Sequence, residues 1–273
     1  MATTSSTTVS KAFRVLNLFY RHPVLTTTRC AEELDISRST AHRLLVSLRE
    51  AGAVEPTEHG HFRLSLSLFE LGSLAPQRRF LGDRATAAME ELADVVGLRV
   101  HLGVRQDLHL LYLETAHGRY AQRVPTRVGN RGPLHATALG KVLLAYAPEP
   151  VINRVLASDL QGFTPHTTRS ACALRTELER ARCEGVAHGR QEYVLGSCSI
   201  AVPVVGPDGQ ARAAISIAGS TVAVYPRVSA LTAKLRHTAR TIERGSAWEE
   251  SYDSMSRRST FRQRQETMVR AAS

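Results

Sequence analysis

The chain has 273 residues, 43% of them hydrophobic, and a formal net charge of +10. That length and apolar content allow two domains with separate cores, and no apolar run approaches the roughly 18 residues of a membrane span. The charge suits nucleic acid as a partner, yet residues 1–75 hold eight Lys or Arg against seven Asp or Glu. DNA affinity at that end must therefore come from the placement of particular arginines.

Met1–Ser10 is rich in Ser and Thr and lacks the apolar core of a signal peptide, so residues 1–9 read as a disordered arm. Ser10–Tyr20 reads as a helix on the stripe Ala12, Val15, Leu16 and Phe19, with Pro23 beyond its end. Thr26–Leu34 is a second short helix. Asp35-Ile36-Ser37 makes a tight turn that buries Ile36 between helices. Ser37–Glu50 is the third helix, with Ser37 as N-cap and Ala41, Leu44, Leu45 and Leu48 at buried spacing. Its other face shows Arg38, Ser39, His42, Arg43, Val46 and Ser47. Two short helices joined by a tight turn, the second with a basic face, form a helix-turn-helix. Gly52 is placed to stop the third helix. Val54-Glu55-Pro56 and His61–Leu64 flank a turn at Thr57–Gly60, as the wing of a winged helix does.

Leu64–Leu71 reads as the start of a connector that Pro76 interrupts, resuming as a helix over Arg79–Val96 with Ala85, Ala88, Met89, Leu92, Ala93 and Val96 inward. Beyond Leu98 the period changes to two, predicting strands from Val100 to Val104 and over Leu108–Glu114, with a third over Arg119–Arg127. Gly129–Pro133 reads as a loop and Leu134–Tyr146 as a helix. Further helices are expected at Val151–Leu156, Ala171–Cys183 and Val228–Glu243. Strands Ser199–Val205 and Ala211–Ala218 are joined by the turn Gly206-Pro207-Asp208-Gly209. The order implies an α+β domain with a mainly antiparallel sheet. Residues 246–273 are polar and charged, and fit either a solvated tail or a short helix touching a partner subunit or DNA backbone. Cys30, Cys172, Cys183 and Cys198 show no paired spacing, which fits free buried thiols in a reducing cytoplasm.

Two stretches carry a family resemblance. Lys11–Phe19 with the helix-turn-helix and wing resembles the N-terminal domain of IclR-type bacterial transcriptional regulators. Gly129–Ala145, G-N-R-G-P-L-H-A-T-A-L-G-K-V-L-L-A, is similar to that family's effector-domain signature. The resemblance covers roughly Ser10–Gly245. It implies a winged helix-turn-helix over 10–66, connector helices over 67–97 that help form a dimer, and a GAF-like effector domain over 98–245. It further implies a cytoplasmic homodimer or dimer of dimers on a near-palindromic operator, controlled by a small-molecule carboxylate.

For DNA, the expected contacts are Arg38, Ser39, Thr40, His42, Arg43 and Ser47, with Arg29 and Arg63 on phosphates. The plain alternative is a solvated basic face. For the effector, the amides of Gly129 and Asn130 are expected to hold a carboxylate, the alternative being an ordinary turn. Alignment to the family places Ser199 and Ser216 at polar effector positions. It places Gly189 and Ala218 where glyoxylate-responsive members carry aspartate and serine. Losing two polar groups predicts a wider, more apolar pocket for an aromatic or longer-chain carboxylate. Lys141 follows a glycine but lacks the spacing of a phosphate loop, and His135 reads as a core or capping histidine. Ser197-Cys198-Ser199 sits in no nucleophile elbow. The histidines show no metal spacing, so neither catalysis nor a cofactor is expected. The alternatives are a DNA binder that senses nothing, or an enzyme acting on a small organic acid.

Overall fold

The computed structural model describes residues 7–74, 76–121 and 126–245. The chain divides into two compact units, Met1–Ala75 and Pro76–Ser273. The expected arm and tail therefore lie mostly outside the described residues, except that Thr7–Val9 already belong to the first helix.

In the first unit, helix α1 (Thr7–Leu18) is followed by α2 (Thr27–Leu34) and α3 (Arg38–Glu50). Thr26 caps α2, its hydroxyl accepting from the Arg29 amide, and Asp35 ends it in the left-handed region at φ 52°. The turn then delivers Ser37, whose hydroxyl accepts from the Thr40 amide and opens α3. All four stripe residues of α3 are buried, with Val15, Leu18, Leu25, Leu34, Val54 and Phe62 around them. Ile36 packs half-buried against that core. Gly52, at φ +74°, turns the chain out of α3 into β1 (Val54–Pro56), which pairs antiparallel with β2 (Phe62–Leu64). Leu25 bridges to Phe62 through two main-chain hydrogen bonds of 2.8 Å, tying the wing to the helices. α4 (Leu66–Ser73) belongs to this unit and buries none of its residues.

The second unit begins with α5 (Pro76–Val96), so Pro76 opens the helix rather than interrupting it. Proline suits that place because the first amide of a helix has no partner to lose. Next come β3 (Arg99–Gln106), β4 (His109–His117), β5 (Arg131–Pro133), α6 (Ala138–Ala145), α7 (Glu149–Leu156) and α8 (Ala171–Glu184). The chain continues through β6 (Ala187–Arg190), β7 (Ser197–Val205), β8 (Ala211–Ser220), α9 (Thr221–Val224) and α10 (Val228–Gly245). The six strands lie in the order β5-β4-β3-β8-β7-β6, every neighbouring pair antiparallel. One face carries α5 and α10 over Val100, Leu102, Ile200, Ile215 and Ile217. The other carries α6, backed by α7 and α8.

Five further expectations change. Residues 131–133, read as loop, are strand β5, held by β4 at His109–Leu111. α6 starts at Ala138, because Thr137 caps it by accepting from the Gly140 amide at 3.0 Å. β6 was not foreseen. The strand expected over Arg119–Arg127 falls partly outside the described residues, and residues 119–121 and 126–127 are not strand. Of the cysteines, all free, Cys30 and Cys198 are buried while Cys172 and Cys183 are exposed on α8.

Gly140 fixes how closely α6 approaches the chain before it. A Cβ there would stand 2.6 Å from the Leu134 and Pro133 backbone. Gly140→Ala is expected to cost about 1–3 kcal/mol of stability through overpacking. Gly72→Ala, where a Cβ meets nothing within 4 Å, is expected to be neutral or slightly stabilising. Denaturant midpoints of the two variants check the contrast.

Candidate functional site

The first site is the outer face of α3. Arg38, Ser39, His42, Arg43 and Ser47 are exposed on it, opposite the buried stripe. Thr40 is half-buried, and its hydroxyl shares a cluster with Ser37 at 2.8 Å, while Ser39 lies 3.0 Å from the same oxygen. The serine and threonine hydroxyls thus surround the helix start, and His42, Arg43 and Ser47 project along the following turns. Arg29 is exposed on α2, 3.9 Å from Glu32. Arg63, expected on a phosphate, forms a 2.7 Å salt bridge across the wing to Glu55, its register partner. Both pairs are exposed and so worth little, and a phosphate can compete for either arginine.

The second site lies between α6 and the sheet. Strand registers build its floor in two rows. One row runs Gly189, Ser199, Ala218, Arg99, and the next runs Ala187, Ala201, Ser216, His101. Above the floor, the start of α6 and the stretch 192–197 border a pocket with a cavity volume of about 50 Å3. Its walls include His101, Tyr112, Thr126, Ala136–Leu139, Glu192, Tyr193 and Val194, with Gly189, Ser199, Ser216 and Ala218 below.

The sequence placed Gly189, Ser199, Ser216 and Ala218 in this pocket, and the structure brings all four together there. Gly129 and Asn130 are a correction. The Gly129 amide donates to the Tyr112 carbonyl at 2.8 Å, the Asn130 amide donates to the Arg127 carbonyl at 3.0 Å, and neither residue lines the pocket. The Gly129 amide and the Asn130 carbonyl, which accepts from the Tyr112 amide at 3.0 Å, serve the link to β4. Ala138 and Leu139, the first two residues of α6, line the pocket instead, and the first amides of a helix have no intrahelical partner. Gly189 also acts differently from expectation. A Cβ there would meet Ser199 Oγ at 2.5 Å and the Ala138 nitrogen at 3.2 Å. The space an aspartate would use is already filled by Ser199 and the α6 terminus, so only Ala218 leaves the pocket wider.

Sequence reasoning missed His101, Tyr112, Thr126, Glu192 and the α6 amides. A signal existed for His101, since it alternates with Val100, Leu102 and Val104 on a strand buried on both faces. Its Nε2 lies 2.8 Å from Thr126 Oγ1, and its ring 5.4 Å from that of Tyr112. Burial lowers its pKa to about 3, reinforced by Arg99 and His117. The ring is therefore neutral. Burial likewise lifts the Tyr112 phenol above its ordinary range, with Tyr193 adding to the shift. Lys141 is no anion ligand. Its ammonium is buried and lies 2.5 Å from both Glu177 and Glu192. His135 is structural, hydrogen-bonded to the Gln161 carbonyl at 2.9 Å.

A helix-turn-helix unit followed by a unit with a pocket of mixed polar and apolar lining defines the class: a DNA-binding regulator with a small-molecule domain. Residues 8–58 match the IclR helix-turn-helix domain, and residues 77–244 match the bacterial transcriptional regulator IclR C-terminal domain. The chain belongs to the IclR family of transcriptional regulators. It is 32% identical over 216 residues to the HTH-type transcriptional regulator XynR of Escherichia coli, covering 78% of this chain and 86% of that protein. It is 31% identical over 220 residues to KdgR of Dickeya chrysanthemi, covering 80% and 72%. Among solved structures, an IclR homolog from Microbacterium hydrocarbonoxydans complexed with 4-hydroxybenzoate superposes with a TM-score of 0.77 at 30% identity. That match covers 87% of this chain and 98% of the other. No described helix is long and apolar enough to cross a membrane.

The neutral His101 has a consequence for acid stability. Unfolded, it takes up a proton near its ordinary pKa of 6.5, whereas folded it resists until about pH 3. The unfolded chain thus binds more protons between those values, and stability falls as pH drops through that window, by up to about 1.4 kcal/mol per pH unit. Above pH 6.5 the contribution is constant. His101→Gln, which keeps a neutral partner for Thr126, is expected to flatten the acid limb of a plot of urea midpoint against pH.

Proposed function

We propose that this regulator binds a near-palindromic operator as a cytoplasmic homodimer or dimer of dimers, and that a monocarboxylate with an aromatic or longer-chain body controls its affinity. On DNA, Arg43 reads a guanine edge from α3, with Arg38, Ser39, Thr40, His42 and Ser47 beside it and Arg29 and Arg63 on phosphates. A two-fold dimer sets the two recognition helices about 34 Å apart on one DNA face.

The observation that carries the effector reading is the composition of the pocket. The α6 amides of Ala138 and Leu139 suit one carboxylate. Ser199, Ser216 and the Tyr112 phenol supply further hydrogen bonds, and Leu139, Val194, Ala218 and the Tyr193 ring supply an apolar wall. No Lys or Arg is among the described lining residues, which disfavours small, densely charged acids. The 4-hydroxybenzoate bound by the Microbacterium homolog is a carboxylate of this kind. Control requires only that the effector bind the DNA-competent and incompetent arrangements unequally.

The test uses a duplex selected from a random-sequence library, with anisotropy at fixed salt because salt alone changes affinity strongly. Arg43→Ala is expected to weaken the selected site by about 1–3 kcal/mol and random duplex far less. Equal losses would make Arg43 a phosphate contact. Benzoates or medium-chain acids are expected to change operator affinity and to raise the melting temperature by several degrees, since a ligand at 100 times its Kd adds about 2.7 kcal/mol. A response to glyoxylate alone would refute the effector class.

A further inference from the structure

We infer that Glu192 sets the chemical selectivity of the pocket, admitting a monocarboxylate that also carries a hydroxyl or amino hydrogen-bond donor and rejecting a dicarboxylate. The inference rests on the monocarboxylate reading above and names a feature of the ligand that reading leaves open.

Glu192 is the one acidic or basic chain group, histidine aside, among the described residues lining the pocket, and it is 5% exposed. One oxygen accepts from the Arg190 amide at 3.0 Å and the other from Lys141 Nζ at 2.5 Å. A carboxylate offers about four acceptor positions, so these two bonds leave capacity on a group that borders the cavity. The other polar groups there do not discriminate in the same way. Ser199, Ser216, Thr126 and Tyr112 carry hydroxyls, which donate or accept as the ligand requires. A carboxylate only accepts. A ligand without a donor leaves it facing apolar surface, and hydrogen bonds to charged groups are the strong ones.

The counter-charge is already committed. Lys141 Nζ is also 2.5 Å from Glu177, whose other oxygen accepts from Thr168 Oγ1 at 3.0 Å. One ammonium thus serves two carboxylates, and the cluster has a formal charge of −1. A second carboxylate on the ligand would be buried near Glu192, whose cation Lys141 is already shared between two acids, which is unfavourable. A first carboxylate has the α6 amides. The pocket therefore welcomes one negative charge and one donor.

The test is a titration calorimetry series on the wild-type protein with benzoate, its three hydroxy isomers, 4-aminobenzoate and terephthalate. Hexanoate, 6-hydroxyhexanoate and adipate form a parallel set. At least one donor-bearing member is expected to bind about tenfold or more tightly than its parent, and neither dicarboxylate is expected to bind. Glu192→Gln is expected to bring that ratio close to one. Glu177→Gln, which removes one of the two carboxylates paired with Lys141 and is not among the residues lining the pocket, is expected to keep the ratio. A parent acid that binds as tightly as all its donor-bearing relatives overturns the inference and leaves the monocarboxylate reading intact, as does a preference that persists in Glu192→Gln. If none of the monocarboxylates binds, the reading itself fails and the inference with it. Should Glu192→Gln not fold, the wild-type series decides alone.

Discussion

The close approach of the first turn of α6 to the sheet is the constraint from which the second unit's chemistry follows. Two glycines permit it. Gly140 lets the helix lie against the backbone of Pro133 and Leu134, and Gly189 lets the Ala138 nitrogen come down onto β6 and the Ser199 side chain. Thr137 satisfies one of the amides that a helix leaves unpaired at its start, while those of Ala138 and Leu139 remain at the pocket. A helix terminus normally turns such amides to solvent. Here it is buried, which is the physical basis of the proposed carboxylate site.

The same approach carries Lys141, one turn along, into the interior. A buried ammonium is tolerable only when paired, and Glu192 and Glu177 provide the pairing from the stretch after β6 and from α8. Removing one member of such a buried group typically costs about 3–5 kcal/mol, whereas replacing the whole group by apolar residues is often harmless. The cluster is therefore better understood as fixing position than as adding stability. It holds Glu192 at the cavity, while Thr167 Oγ1 donates to the Glu192 carbonyl at 2.6 Å and Thr164 Oγ1 to that of Gln191 at 2.7 Å. His101 shows the opposite solution to burial: with no acid to pair it, it stays neutral.

The elements that the sequence made legible are those whose cause is local. The α3 stripe, the Ser37 cap and the turn at Gly206–Gly209 each depend on residues a few positions apart, and each stands where its residues imply. β5 and β6 are only three and four residues long and contain glycine, and they are strands because β4 and β7 are beside them. The Gly129 loop misled for the same reason. Its positive φ and its neighbouring amides have the look of an anion cradle, but those amides are committed to carbonyls at Tyr112 and Arg127. Gly189 adds a second lesson. A sequence shows which atoms a substitution removes, and only packing shows whether a neighbour has taken the space.

The pocket also limits how occupancy can be felt. A ligand there meets α6 through its first amides, β7 and β8 through Ser199 and Ser216, and the stretch after β6 through Glu192. Of these, the floor is the least able to respond, because β7 and β8 are central strands hydrogen-bonded on both sides. The α6 terminus and Glu192 are joined through Lys141, and Lys141 is joined in turn to α8 through Glu177. A ligand that draws on Glu192 competes with that ammonium, and a ligand at the amides pulls on the helix that carries it. Both proposed contacts therefore act on one buried charge, and the proposed control by an effector would work through how that charge is shared.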